Sequence, residues 1–205
     1  MNRKLFLNTV WASLTAWAAL MSLPAAAQTT LAGVRFEPDA TVAGQKLQLN
    51  GAGVRIRAIF KVYAAGLYTS TKLTKNEDVL RPGIKRLQLV ALRDVKGDEF
   101  GKLFTRAMED NATRDEFSKS INSVIRMGQI FADAKQFAKG DLIVLDFVPA
   151  TGLVVLHKGK QLGEPFKEPE FHSLMLKIWF GPKPVDNELR KALLGEQSTA
   201  NTNIN

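Results

Sequence analysis

Apolar and polar residues alternate along several short runs of this chain, a pattern that places every second side chain on one face of a strand. Lys46–Leu49 alternates and is followed by Asn50-Gly51, which predicts a tight hairpin turn. The stretch from Val54 to Thr69 is rich in Ile, Phe, Val and Tyr and predicts one long strand. Arg86–Leu92, Asp141–Val148 and Leu153–His157 predict three more, with Pro149-Ala150-Thr151-Gly152 as the turn between the last two. Between these runs the period changes. Phe100, Leu103, Phe104, Ala107, Met108 and Asn111 recur at helical spacing, which predicts a helix opening at Asp98. A second helix is predicted over Glu116–Ala138, ended by Gly140. Two more are predicted over Glu170–Phe180 and Asp186–Leu194. The order is strands, two helices, strands, two helices, with no regular strand–helix–strand alternation. It predicts an α+β domain: a large, mostly antiparallel sheet covered on one face by helices.

The start of the chain follows a different rule. Arg3-Lys4 precedes an uncharged stretch from Leu5 to Leu23, then Pro24 and Ala25-Ala26-Ala27. A basic start, an apolar segment and small residues at a cleavage site predict a secretory signal peptide over residues 1–27, removed after Ala27, with a retained membrane anchor over Leu5–Leu23 as the alternative. Removal leaves 205 − 27 = 178 residues and, without Arg3 and Lys4, a charge of +8 − 2 = +6. The expected domain spans 28–197, and the polar tail 198–205 has no periodicity and is expected to be disordered. No second apolar stretch is long enough to span a bilayer, so the processed protein is expected to be soluble.

Composition then removes chemistries. The absence of cysteine excludes disulfide scaffolds, Cys-ligated metals and thiol catalysis. His157 and His172 stand alone, without metal-ligand spacing, and no phosphate-binding loop or nucleophile-elbow motif occurs. The basic residues are scattered and unaccompanied by stacking aromatics, which argues against nucleic acid. One segment keeps chemical interest. If 54–69 is one strand, Arg55 and Tyr63 share a face, and a guanidinium beside a phenol is a receptor for a carboxylate. Solvated arginines and an ordinary core tyrosine would give the same pattern, and the residues alone leave both readings open.

Leu49-Asn50-Gly51-Ala52-Gly53-Val54-Arg55, with Phe60-Lys61-Val62-Tyr63-Ala64-Ala65-Gly66-Leu67-Tyr68, resembles the chalcone isomerase-like family, in particular its bacterial exported branch. Phe104–Asn111, Gly140-Asp141 and the Ile178–Asp186 segment agree in the same order. The resemblance implies an open-faced β-sandwich with a ligand cleft between sheet and helices, and a periplasmic location. It places Arg55 where the isomerases keep the arginine that stabilises an enolate, the one catalytic role available beside Asn111. Phe104 stands where they keep a helix tyrosine, Tyr63 where they keep a water-ordering threonine, and Ile178 near a threonine that contacts the flavonoid. The family also has non-catalytic members that hold a fatty acid through the arginine and a strand tyrosine, which Arg55 and Tyr63 match better. The implied function is binding of a fatty acid or other small carboxylate by Arg55, Tyr63, Phe104, Met108, Asn111 and Ile178, without cofactor or metal. An isomerase of chalcone or another enone, and a structural or interaction protein of the envelope, are the alternatives.

Overall fold

A computed structural model describes residues 28–196. The expected signal peptide and the expected tail lie outside the described residues. Eleven strands and five helices follow one another in the described region: β1 Thr29–Leu31, β2 Val34–Phe36, β3 Asp39–Val42, β4 Gln45–Arg57, β5 Phe60–Thr69, α1 Asn76–Leu80, β6 Lys85–Ala91, β7 Val95–Lys96, α2 Gly97–Asn111, α3 Arg114–Asp133, β8 Gln136–Phe137, β9 Leu142–Val148, β10 Gly152–His157, β11 Lys160–Gln161, α4 Pro169–Phe180 and α5 Asn187–Leu193. Seven strands form one curled antiparallel sheet in the order β11-β10-β9-β6-β5-β4-β3. The predicted α+β architecture is the observed one.

The helices cover one face. Alternate residues of β5 and β6 (Tyr63, Ala65 and Leu67; Leu87 and Leu89) meet the apolar stripes of α2, α3 and α4 in the main core. The helices start where local chemistry tells them to. Thr113 and Glu116 form a reciprocal capping box for α3, Asp186 caps α5, and Pro169 begins α4. On the opposite face the small β1–β2 hairpin lays Phe36 over Gly66, where a Cβ would sit 2.6 Å from the ring.

Three local expectations are corrected. Asn50-Gly51 is not a turn but the middle of β4, marked by a register irregularity between Leu49 and Gly51. Asn50 is fully buried: its side-chain amide donates to Leu73 O at 2.9 Å and Leu193 O at 2.8 Å, and its carbonyl accepts from Leu73 N. Gly51 is required by close approach rather than by a turn, since a Cβ there would lie 2.1 Å from Ala192 O. Second, the expected single strand 54–69 is two strands, reversed at Ala58-Ile59, with Ala58 at φ 53°. Third, α3 stops at Asp133, Lys135 takes φ 60°, and Phe137 belongs to β8, paired with Val95. A tertiary demand overrides helical periodicity there: Phe137 is buried among Phe100 and Phe131. The short helix α1 carries too little periodicity to be read from sequence.

Candidate functional site

The site begins with a bulge. Ile56 pairs with Lys61 and Arg55 with Tyr63, so Val62 is the extra residue on β5. The bulge brings Arg55 and Tyr63 directly opposite on the helix-facing side. They share a face as expected, but as cross-strand partners rather than neighbours on one strand. The Arg55 guanidinium carbon lies 5.6 Å from the centre of the Tyr63 ring, within cation–π range. Next along β4, Gly53 lets α5 sit directly on the strand, because a Cβ would come within 2.7 Å of Ala192 Cβ. Asp186 completes this wall: one carboxylate oxygen accepts from Ile56 N at 3.1 Å and the other from Leu189 N at 3.0 Å.

Tyr63 is buried, and its hydroxyl accepts a hydrogen bond from Trp179 Nε1 at 2.9 Å. Burial pushes the phenol up from its ordinary value, against the lowering influence of Arg55 and of the Trp179 hydrogen bond. At neutral pH it is therefore a protonated phenol and not a charge partner for the arginine. Arg55 is half-buried, and its Nε is buried with no hydrogen-bond partner. A buried unpaired donor is costly, on the order of 1–3 kcal/mol, and a guanidinium with no carboxylate partner is suited to one.

Arg55 lies in the wall of a cleft of about 370 Å³, with Arg57, Phe60, Val62, Arg93 and Leu103 among its other walls. Asp94 and Glu99 also border it. Asp94 is occupied at least in part, accepting from Lys139 N at 2.8 Å. Three guanidinium residues against two carboxylates leave this mouth basic.

Behind the mouth, between sheet and helices, the space is closed. The void bounded by Val62, Tyr63, Phe100 and Phe137 measures about 10 Å³, at the lower edge of what holds one water. Phe104 fills the layer, with ring centres 4.5 Å from Phe100, 5.1 Å from Phe131 and 5.7 Å from Trp179. Met108 and Ile178 are buried in the same core. Asn111 is buried too, and its amide is spent on backbone: it donates to Ala107 O at 2.9 Å and Lys183 O at 2.8 Å and accepts from Lys183 N at 2.8 Å. It holds the turn after α4 against the end of α2.

Of the six residues picked out from the sequence, Arg55 alone borders the 370 Å³ cleft, and Tyr63 lies beneath it. Phe104, Met108, Asn111 and Ile178 border neither space, and Phe104 reaches Tyr63 through Trp179. Sequence reasoning missed Trp179, Arg93 and Glu99. The Ile178-Trp179-Phe180 run marked an aromatic-rich helix, but nothing in it announced a partner 116 residues earlier. His157 pairs with Asp141 at 2.9 Å, and Lys158 holds the other oxygen of the same carboxylate at 2.9 Å. Among the described residues no group of His, Asp or Glu is arranged to hold a metal ion, and no helix is long and apolar enough to cross a membrane.

A curled antiparallel sheet, a helix layer on one face and a basic cleft beside Arg55 make up an open-faced α+β fold. Residues 28–195 match the model of the chalcone isomerase-like family, and the chain belongs to that family. Among solved structures it is similar to a fatty-acid binding protein of Arabidopsis thaliana. The TM-score is 0.64 at 15% identity, over 82% of this chain and 96% of the plant one. At that identity the likeness is one of fold. A search of curated protein sequences gave no match.

Proposed function

We propose that the protein binds, without catalysis, a small carboxylate or the carboxylate end of a fatty acid in the cleft beside Arg55. The observation that carries this reading is the buried, unpaired Nε of Arg55 in the wall of a 370 Å³ cleft. A carboxylate there would pair with the Arg55 guanidinium, and the apolar part of the ligand would lie along Phe60, Val62 and Leu103. The family membership and the fold shared with a fatty-acid binding protein support the ligand class. The closed interior restricts the ligand's length: an alkyl chain does not enter a void of about 10 Å³ unless the aromatic cluster moves. Calorimetric titration with octanoate tests the reading. The parent protein should bind, and Arg55→Ala should lose at least tenfold in affinity while keeping its thermal unfolding transition. Equal binding by the variant overturns it.

The closed interior favours a second reading, a structural or interaction protein of the envelope. Failure of octanoate and shorter carboxylates to bind, with no lipid co-purifying in native mass spectra, would favour that one. An isomerase is less well supported. Phe104 has no hydroxyl to offer a developing enolate, and the Asn111 amide is committed to backbone.

We also assign the protein to the bacterial exported branch and to the periplasm, on the leader pattern of residues 1–27. Cell fractionation, with N-terminal sequencing that begins at Gln28, is the check. An intact N-terminus in the cytoplasm overturns the assignment.

A further inference from the structure

The β4–β5 hairpin ends in a turn with unusual chemistry. Turn residues are ordinarily polar or glycine, yet this tip reads Arg55-Ile56-Arg57-Ala58-Ile59-Phe60-Lys61. Ile59 is 86% exposed, Phe60 55% and Ile56 36%. Among the described residues the other exposed large hydrophobics are two isoleucines on α3. The tip's apolar residues therefore concentrate within five positions. Arg57 and Lys61 flank them on the hairpin and are exposed, and the Arg93 guanidinium lies 5.3 Å from the centre of the Phe60 ring. No carboxylate interrupts 55–61. Ala58 and Phe60 also border the cleft beside Arg55, so the tip forms one lip of its mouth.

Exposed apolar residues invite a partner. A narrow two-residue turn is too small for a stable protein interface, which takes roughly 800 Å² and 20–30 residues on each side. Apolar side chains at a hairpin tip, with Arg57, Lys61 and Arg93 beside them and Asp94, Glu99 and the capping Asp186 behind, instead suit an interface that yields to penetration and carries negative charge. We propose that the hairpin tip docks on an anionic lipid surface. Ile59 and Phe60 enter the acyl boundary, Arg57, Lys61 and Arg93 meet the headgroups, and the cleft opens at the membrane. Docking itself is independent of the Arg55 reading. Its purpose, delivery or collection of an amphiphilic carboxylate at the bilayer, rests on that reading.

The protein as recovered from the expressing cell is sedimented with vesicles of phosphatidylcholine alone and of phosphatidylcholine mixed with phosphatidylglycerol. Binding to the anionic vesicles, weakened at high salt, is expected. Ile56→Ser with Ile59→Ser should reduce it about tenfold. Neither residue borders the cleft, so this double variant should still bind dissolved octanoate within twofold of the parent. Arg57→Gln with Lys61→Gln should lower binding to anionic vesicles towards the level seen with phosphatidylcholine alone. Vesicle affinity unchanged in the isoleucine variant, or absent in the parent, overturns the proposal and leaves the carboxylate reading standing. Loss of octanoate binding with vesicle docking intact overturns the carboxylate reading instead. Self-association of the parent in the ultracentrifuge, relieved by the isoleucine variant, also overturns the lipid proposal, in favour of a second copy.

Discussion

Arg55 and Arg86 sit two strands apart on one sheet and face different partners. Arg86 on β6 is directly opposite Asp146 on β9, and the two side chains meet through paired hydrogen bonds of 2.6 and 2.7 Å. Those bonds hold the guanidinium above its already high ordinary pKa. Arg55 on β4 is directly opposite a tyrosine that stays neutral, and its Nε is unpaired. A cross-strand carboxylate turns an arginine into part of the scaffold. A cross-strand phenol holds the arginine's plane and leaves its charge for something else.

That contrast can be broken from the Arg86 side first. Asp146→Ala strands a largely buried cation and should cost about 2–4 kcal/mol, below the fully buried case because Arg86 keeps some exposure. The denaturation midpoint reads the loss, and octanoate binding by the remaining folded protein should be unchanged. Tyr63→Phe comes next. It leaves the buried Trp179 N–H without an acceptor and should cost about 1–3 kcal/mol in the same measurement. Arg55→Ala should move stability by less than about 1 kcal/mol, since no carboxylate holds the Nε it removes, while ligand affinity collapses. A midpoint shift as large as that of Asp146→Ala would show that the two arginines do the same work. Arg93→Ala, at the exposed rim, should cost at most about 0.5–1 kcal/mol of its contact with Phe60.

A pH measurement sharpens the contrast without changing stability at neutral pH. Tyr63 is raised from 10.0 and Tyr68 to about 12, each chiefly by burial. An unfolded chain ionises its tyrosines first, so stability should fall as pH rises above 10. Arg55 lowers the Tyr63 value, so in Arg55→Ala the 295 nm titration should move to still higher pH. A shift in the other direction would mean that the guanidinium does not act on this phenol.

The architecture was legible because the sheet and helix periods are clean, and because one face of β9, and of β6 from Leu87 to Ala91, is consistently apolar. Local punctuation was less reliable. Asn50-Gly51 has the composition of a turn, yet Asn50 is spent on Leu73 and Leu193 and Gly51 on the approach of Ala192. The real turn uses Ala58 and Ile59, residues with no turn signature. Arg55 and Tyr63 fell on one face in both readings only because the bulge at Val62 restores the parity that the turn would have broken. What sequence could not show is occupancy. Nothing in Phe104, Phe137 or Trp179 taken singly reveals that together they fill the layer where a ligand's chain would lie.

The Asn50–Leu193 hydrogen bond spans 143 residues of chain, and with it α5 lies against β4 through two glycines. Contacts of such separation close late and slowly. Neighbouring strands can pair by local hairpins well before residues 187–193 are available to dock. The order of assembly at this edge therefore follows the order of the sequence. The strand that bears Arg55 can pair early with β5, while the α5 wall that rests on its Gly51 and Gly53 has the longest loop to close before it docks.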